Sequence, residues 1–568
     1  MNKGLKDNEL LLARIFTRST VFSVLIALLS ALVLSVASAQ ESQEPKIYLM
    51  KDQVYHPGSN QQHWNLPGYW SDNATPLSVS NSIFVVGNSF HVRTDETEQD
   101  QIFGGENNRT NKLYIGYKVD LEHGTVDLNG YGEDVYGVLH LKAKLGNKQD
   151  TVTVDDLHIG RGEVFQGEPN ATITLYGSLT IENEGRLRIV SERNENVEDR
   201  VFIIGSSIHG TGKLAIVSEV AHGNHKSSIY IQSENNDFSG DVFIESGTHI
   251  HIDDNQHEHY YYDYQTNLYL TGKNALYNAA HILNEGIVNI TADQIFKNYD
   301  GDDSVGQYTG VGQLIINEGV TVELVYDNNA YSAEPIGLIT VVTKENKSGN
   351  LVINVADGVT KTITMSENSE DYSKIEGQGT IVKAGDGTLQ IVSSSAGLIG
   401  SESFVISSGR LDIEGYFAGS ILVGSDTLDD EVIFSPGVPK TPDYVNIDGE
   451  LILTDSATLL MEIGGAETPL LNDQLILTDG SSFSYTENTV VRFNPLPGYT
   501  PAKYDIIPVK MPEFNWDKAK FSSDAFVLLK YENGIQYLGI NPNYVPEPAT
   551  WALMILGAAG MLYFRKRK

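Results

Sequence analysis

Four histidines, His249, His251, His257 and His259, fall within eleven residues, close to Asp253, Asp254 and Glu258. Histidines two apart on a strand share a face, so His249 with His251, or His257 with His259, has the spacing to ligate one metal ion. Tyr260, Tyr261, Tyr262, Asp263 and Tyr264 follow directly. No strict zinc spacing accompanies them, so the stretch reads as a solvated polar loop thrown out from the fold, and no metal is expected. Asp300, Asp302 and Asp303 around Gly301 offer carboxylate oxygens of the kind calcium takes. The twelve-residue loop with its closing glutamate is missing, as are Gly-Gly-x-Gly-x-Asp nonapeptides, so a turn is the expectation there. Asp253 and Asp254, beside His251, are the carboxylates to test for glycoside hydrolysis, which needs two acids facing each other across a bond. Adjacent strand residues point to opposite faces, which places that pair poorly. There is no Gly-x-Ser-x-Gly elbow, His-Glu-x-x-His or P-loop, and neither an enzyme nor a cofactor is expected.

The elements that must carry these residues are short strands. A unit of glycine, any residue, apolar, any residue, apolar recurs, as in Gly177-Ser178-Leu179-Thr180-Ile181, Gly212-Lys213-Leu214-Ala215-Ile216, Gly312-Gln313-Leu314-Ile315-Ile316 and Gly409-Arg410-Leu411-Asp412-Ile413. Period-two alternation marks a strand with one buried face, and the opening glycine is expected to supply the positive φ of a tight turn. The same turn, Asn-Glu-Gly, stands at 183–185, 284–286 and 317–319. Such strands suit a sandwich or a β-helix; the solenoid is preferred because a lone strand cannot bury its face whereas stacked coils share a thin continuous core. Irregular spacing predicts coils of unequal length with projecting loops. The one weak amphipathic helix candidate is 274–282. His63-Trp64-Asn65 and Tyr69-Trp70-Ser71-Asp72 are expected to cap an open solenoid end.

The chain has 568 residues, no cysteine and a net charge of −35. Residues 1–39 contribute +2 and residues 545–568 contribute +3, leaving −40 on the body between them. So acidic a surface repels nucleic acid and anionic lipid and can attract divalent cations weakly. Disulfides and thiolate chemistry are excluded.

Gly379-Thr380-Ile381-Val382-Lys383-Ala384-Gly385-Asp386-Gly387-Thr388-Leu389-Gln390-Ile391 leads, after a short gap, to Phe404-Val405-Ile406-Ser407-Ser408-Gly409-Arg410-Leu411. This resembles the autotransporter-associated β-strand repeat, a family whose members form parallel β-helix stalks of surface proteins. One good copy spans 379–424. The stretch from Phe434-Ser435-Pro436-Gly437 to Asp473-Gln474-Leu475-Ile476-Leu477 is similar to the closing segment that follows such repeats, and no run of strands suited to an outer-membrane barrel is seen beyond it.

Both ends read as addresses. Lys3, Lys6, Arg14 and Arg18 precede the apolar stretch 21–36, and Ala37-Ser38-Ala39 supplies the small cleavage residues Ala37 and Ala39 of a secretory signal peptide. At the other end Val545-Pro546-Glu547-Pro548-Ala549-Thr550 precedes an apolar run from Trp551 to Phe564 and the cations Arg565, Lys566, Arg567 and Lys568. The two prolines keep the first part extended. The uncharged stretch 549–564 spans roughly 24 Å as a helix, short for a bilayer, and the four cations hold its end on the cytoplasmic side. This order of features resembles the PEP-CTERM sorting signal, which implies recognition by a membrane-embedded exosortase-like enzyme and release to the envelope or matrix.

The expectation is therefore all-β: an irregular parallel β-helix or solenoid between an N-terminal signal helix and a C-terminal transmembrane helix. Its parts are a signal peptide (1–39), a solenoid body (40–375), an autotransporter-type repeat region (376–440), a C-terminal closing region (441–544) and the sorting signal (545–568). The expected role is that of an exported, adhesin-like surface or matrix protein, an acidic rod whose loops meet glycans or matrix polymer, with membrane contact through the C-terminal helix before processing. A secreted β-helix enzyme on carbohydrate is the rival reading.

Overall fold

The computed structural model describes residues 45–543 apart from 52–62, 88–89, 96, 121–122, 124, 128–134, 191–198, 220–226, 235, 253–257, 298–307, 328–335, 345–346, 366–372, 394–398, 425–429, 439–442, 467 and 503–504. The signal segment and the sorting tail, with Ala37, Ala39 and residues 545–568, lie outside them. Among the described residues no helix is long and apolar enough to cross a membrane.

The fold is all-β with long parallel sheets, consistent with a β-helix or solenoid. One strand displays the logic. Thr172–Val190 pairs in parallel with three successive later strands: Thr172 meets Val201, Ser178 meets Ser207 and Glu184 meets Lys213, an offset of 29 residues each time. The chain has thus gone once round and lain down on itself along three consecutive sides. Further offsets range from 17 residues (Phe404 to Ile421) to 51 (Gln101 to Val152), so coil length varies as the irregular spacing predicted.

Parallel stacking places like on like. Phe202, Ile229, Leu268, Val288, Leu314 and Ile339 stand in register on successive strands, all buried. A second buried row runs Val322, Leu351, Ile381, Phe404, Ile421, Leu451. Each such side chain stabilises the stack by roughly 1.5–3 kcal/mol relative to exposure. Asn284, also buried, explains one Asn-Glu-Gly turn: its Oδ1 accepts from Gly286 N (3.0 Å), while its Nδ2 donates to Tyr308 Oη and the Gln313 carbonyl.

The glycine expectation needs correction. Gly177 and Gly409 have the expected positive φ (114° and 69°), but Gly212, Gly286 and Gly312 do not. They are required instead by close approach of the coil beneath. A Cβ on Gly312 would stand 2.4 Å from the Gly286 carbonyl oxygen, and one on Gly212 would stand 2.7 Å from the backbone of Asn183. The helix expected at 274–282 is also absent. Asn274 is left-handed (φ 52°), and its Oδ1 accepts from Ile295 N, so a turn forms that buries Ala275, Leu276 and Ala279 before the strand Ile282–Asn284.

Trp64 and Trp70 are fully buried. Trp70 Nε1 donates to the Trp64 carbonyl (2.8 Å), and the rings pack on Phe103 and Phe84. They complete the interior of the first coils. At the other end the antiparallel strands Ile506–Lys510, Ile535–Ile540 and Phe526–Glu532 close the stack. Trp516 Nε1 donates to Gln536, and Phe514 meets Phe483 edge to face.

Candidate functional site

The histidine-rich stretch forms a hairpin. Asp241–Ile252 turns back as Glu258–Gln265, with His249 opposite Tyr262 and His251 opposite Tyr260. Its tip, with Asp253, Asp254 and His257, lies outside the described residues, as does the turn 300–303. Among the described residues no group of three or more histidines and carboxylates could hold a metal ion.

At the base of this hairpin lies a cavity of about 310 Å³, lined by Phe243, Ile244, Glu245, Ser246, Tyr264, Leu283 and Glu285. The stacking positions these groups. Arg186, Ala215, Phe243 and Leu283 form an outward row on four successive coils, and Arg188, Val217 and Glu245 form the row beside it. Arg186 Nη2 reaches two coils along to Glu245 (2.6 Å). Arg188 bridges Glu163 (3.2 Å) and Glu219 (2.5 Å), and the Tyr136 hydroxyl donates to Glu163. Burial, then the Glu245 and Glu219 carboxylates, push the Tyr264 phenol up. Glu285 stands exposed at the rim. Carboxylates and a phenol round an apolar floor can accept hydrogen bonds from a hydroxyl-rich ligand. The two arginines engage Glu163, Glu219 and Glu245, which disfavours acid–base work by those three.

A second group of acids escaped the sequence reading. Asp412 and Glu414 project outward from one strand. Arg410 Nε donates to Asp412 (2.5 Å), and Glu414 shares a hydrogen bond with Asp443. Burial raises the Asp412 carboxyl to about 6. It raises that of Asp473 to about 9, although Asp473 Oδ2 accepts from Glu462 N (2.7 Å). Nothing local announced that the segment leading to Asp473 packs beside them.

Lys383 is the other departure. The alternation puts it on the inner face, in register between Ile353 and Ile406, and it is 0% exposed. Its ammonium donates to the carbonyls of Ala384 (2.9 Å), Gly385 (2.6 Å) and Ser408 (3.0 Å). Burial lowers it to about 8. This lysine ties its own turn to that of the next coil.

Residues 545–568 match the family model of the PEP-CTERM protein-sorting motif. The motif marks the chain as an exported protein, sorted to the cell envelope or surface by an exosortase-type enzyme. No curated protein matches the chain.

Proposed function

We propose that the chain is a non-enzymatic surface or extracellular-matrix protein, adhesin-like, whose acidic parallel β-helix presents projecting loops to glycans or matrix polymer. The sorting motif at 545–568 carries this reading, because it commits the body to the cell exterior. In its route, Pro546, Glu547 and Pro548 are the recognition element, residues 551–564 a temporary inner-membrane anchor and Arg565 to Lys568 the stop. The Lys383 turn and the stacked rows around 379–424 support kinship with autotransporter passengers. Mass spectrometry of protein from culture supernatant and membranes tests the route. A species that starts near Gln40 and ends between Val545 and Ala549 is expected. An intact tail found only in the inner membrane overturns it.

The hairpin cavity favours a second reading, a β-helix enzyme on carbohydrate, because it gathers carboxylates in one groove. The Arg186–Glu245 and Arg188–Glu219 pairs weigh for the first. Glycan arrays alongside polysaccharide-cleavage assays separate the two: binding without cleavage is expected.

A further inference from the structure

We propose that the outer face of the closing antiparallel sheet rests on the lipid bilayer interface while the sorting tail is still attached. The inference depends on the tail being a membrane anchor. One side of this sheet is core: Ile507, Val509, Leu538 and Phe526 are buried. The other side carries an apolar patch beside the charged residues Lys510, Lys530 and Glu532. Ile506 is 57% exposed and Leu529 53%, with Pro508, Val527 and Tyr537 half-buried between them. The register slips between Leu528 and Lys530, a bulge that leaves Leu529 and Lys530 exposed in succession. Beside the sheet, the short turn Pro469–Leu471 holds Leu470 (73% exposed) and Leu471 (39%), and is fixed there by Asn472 Nδ2 donating to the Pro508 carbonyl (2.8 Å).

Charge and tether length select the occupant. The −40 of the body resides entirely in residues 40–500, while residues 501–543 carry five lysines and five acids and are neutral. This is the part of the body that a lipid surface does not repel. The chain leaves from the sheet itself, where Asn541 N donates to the Ala525 carbonyl (2.8 Å). From Asn543 to Trp551, where the apolar run begins, eight residues reach at most about 28 Å. So short a tether holds the face near lipid at an effective concentration in the millimolar range, where a few leucines suffice for contact. Lys530 stands over the Tyr537 ring (4.9 Å) with its ammonium paired to Glu532 (2.5 Å), and Lys510 is exposed at the end of its strand; both stems can lie on apolar surface with the charged groups towards water. Cleavage of the tail abolishes the tether, and the same weak face then lets go.

The absence of native cysteine makes the test direct. Full-length Leu529→Cys, Ile506→Cys, Leu145→Cys and Ala558→Cys, each carrying an environment-sensitive fluorophore, are reconstituted into phosphatidylcholine vesicles that contain brominated lipid. Blue-shifted, quenched emission is expected at 506 and 529, as at 558 in the tail, with neither effect at the 88% exposed Leu145 position. Quenching at 558 but not at 506 and 529 overturns the docking and leaves the sorting reading intact. No quenching at 558 overturns both. Quenching at 529 only after the sorting enzyme is co-reconstituted assigns the face to a protein and overturns the lipid proposal.

Discussion

The ammonium of Lys383 donates to the carbonyl of Ser408, 3.0 Å away on the following coil, from inside an otherwise apolar row. Replacing it with methionine keeps the volume and leaves three carbonyls without this donor. Lys383→Met is expected to destabilise the fold by about 1–3 kcal/mol, read from the midpoint of urea unfolding.

Asp473 and Asp412 set an unusual pH dependence. Both carboxyls are raised in the folded state, to about 9 and about 6, so folding favours their protonated forms. The unfolded chain releases these protons near pH 4. Their stabilisation is therefore complete below about pH 4 and is lost as pH rises, through about 6 for Asp412 and about 9 for Asp473. Lys383, lowered to about 8, acts oppositely: its penalty fades between about pH 8 and 10.5. Thermal unfolding across this range is expected to show Asp473→Asn with a flatter decline towards alkaline pH than the parent; an unchanged slope assigns the decline elsewhere.

Phe404 is held between Ile381 and Phe417 as well as by its register partner Ile421. Phe404→Ala should cost about 3–5 kcal/mol. Tyr176→Ala, at an outward position 44% exposed, is expected to change stability far less. Equal losses in denaturant unfolding count against the stacked-row account.

Gly312 offers a backbone test. Gly312→Ala drives a methyl to 2.4 Å from the Gly286 oxygen, and a loss of about 1–3 kcal/mol is expected from the strain. At Gly358, which has open space but a φ of 74°, alanine should cost less, since only the left-handed backbone resists it.

In the producing cell, Pro546→Ala with Glu547→Ala should leave the protein in the inner membrane with its tail uncut. Immunoblots of membrane and supernatant fractions measure this. Normal release of the double variant removes Pro546 and Glu547 from the recognition element.

Much of the coil was legible because period-two alternation writes the inner face directly: Ile381 and Lys383 are in phase with each other and with the core. The reason for the glycines was not, because a close approach between Gly312 and Gly286 depends on a register that local sequence does not encode. The hairpin cavity was hidden for the same cause. Arg186 and Glu245 are 59 residues apart, and only knowledge of two intervening coil lengths makes them neighbours. The histidines stood out by composition alone, whereas the groove beneath them is completed by Leu283 and Glu285 of the next coil. Asp473 gave no signal, because its burial depends on how segment 464–473 packs beside Asp412 and Glu462.

The unequal coils carry one further consequence. Between Val242 and Ile282 the chain makes an excursion twelve residues longer than the 28-residue turn before it, yet the three rungs from Val242 to Ile244 fall in register with those from Ile282 to Asn284. Length is absorbed wholly in the hairpin, and the register does not record it. The hairpin tip is accordingly a graft point: a foreign peptide spliced there should be displayed on the outside of the cell by a scaffold that does not notice it.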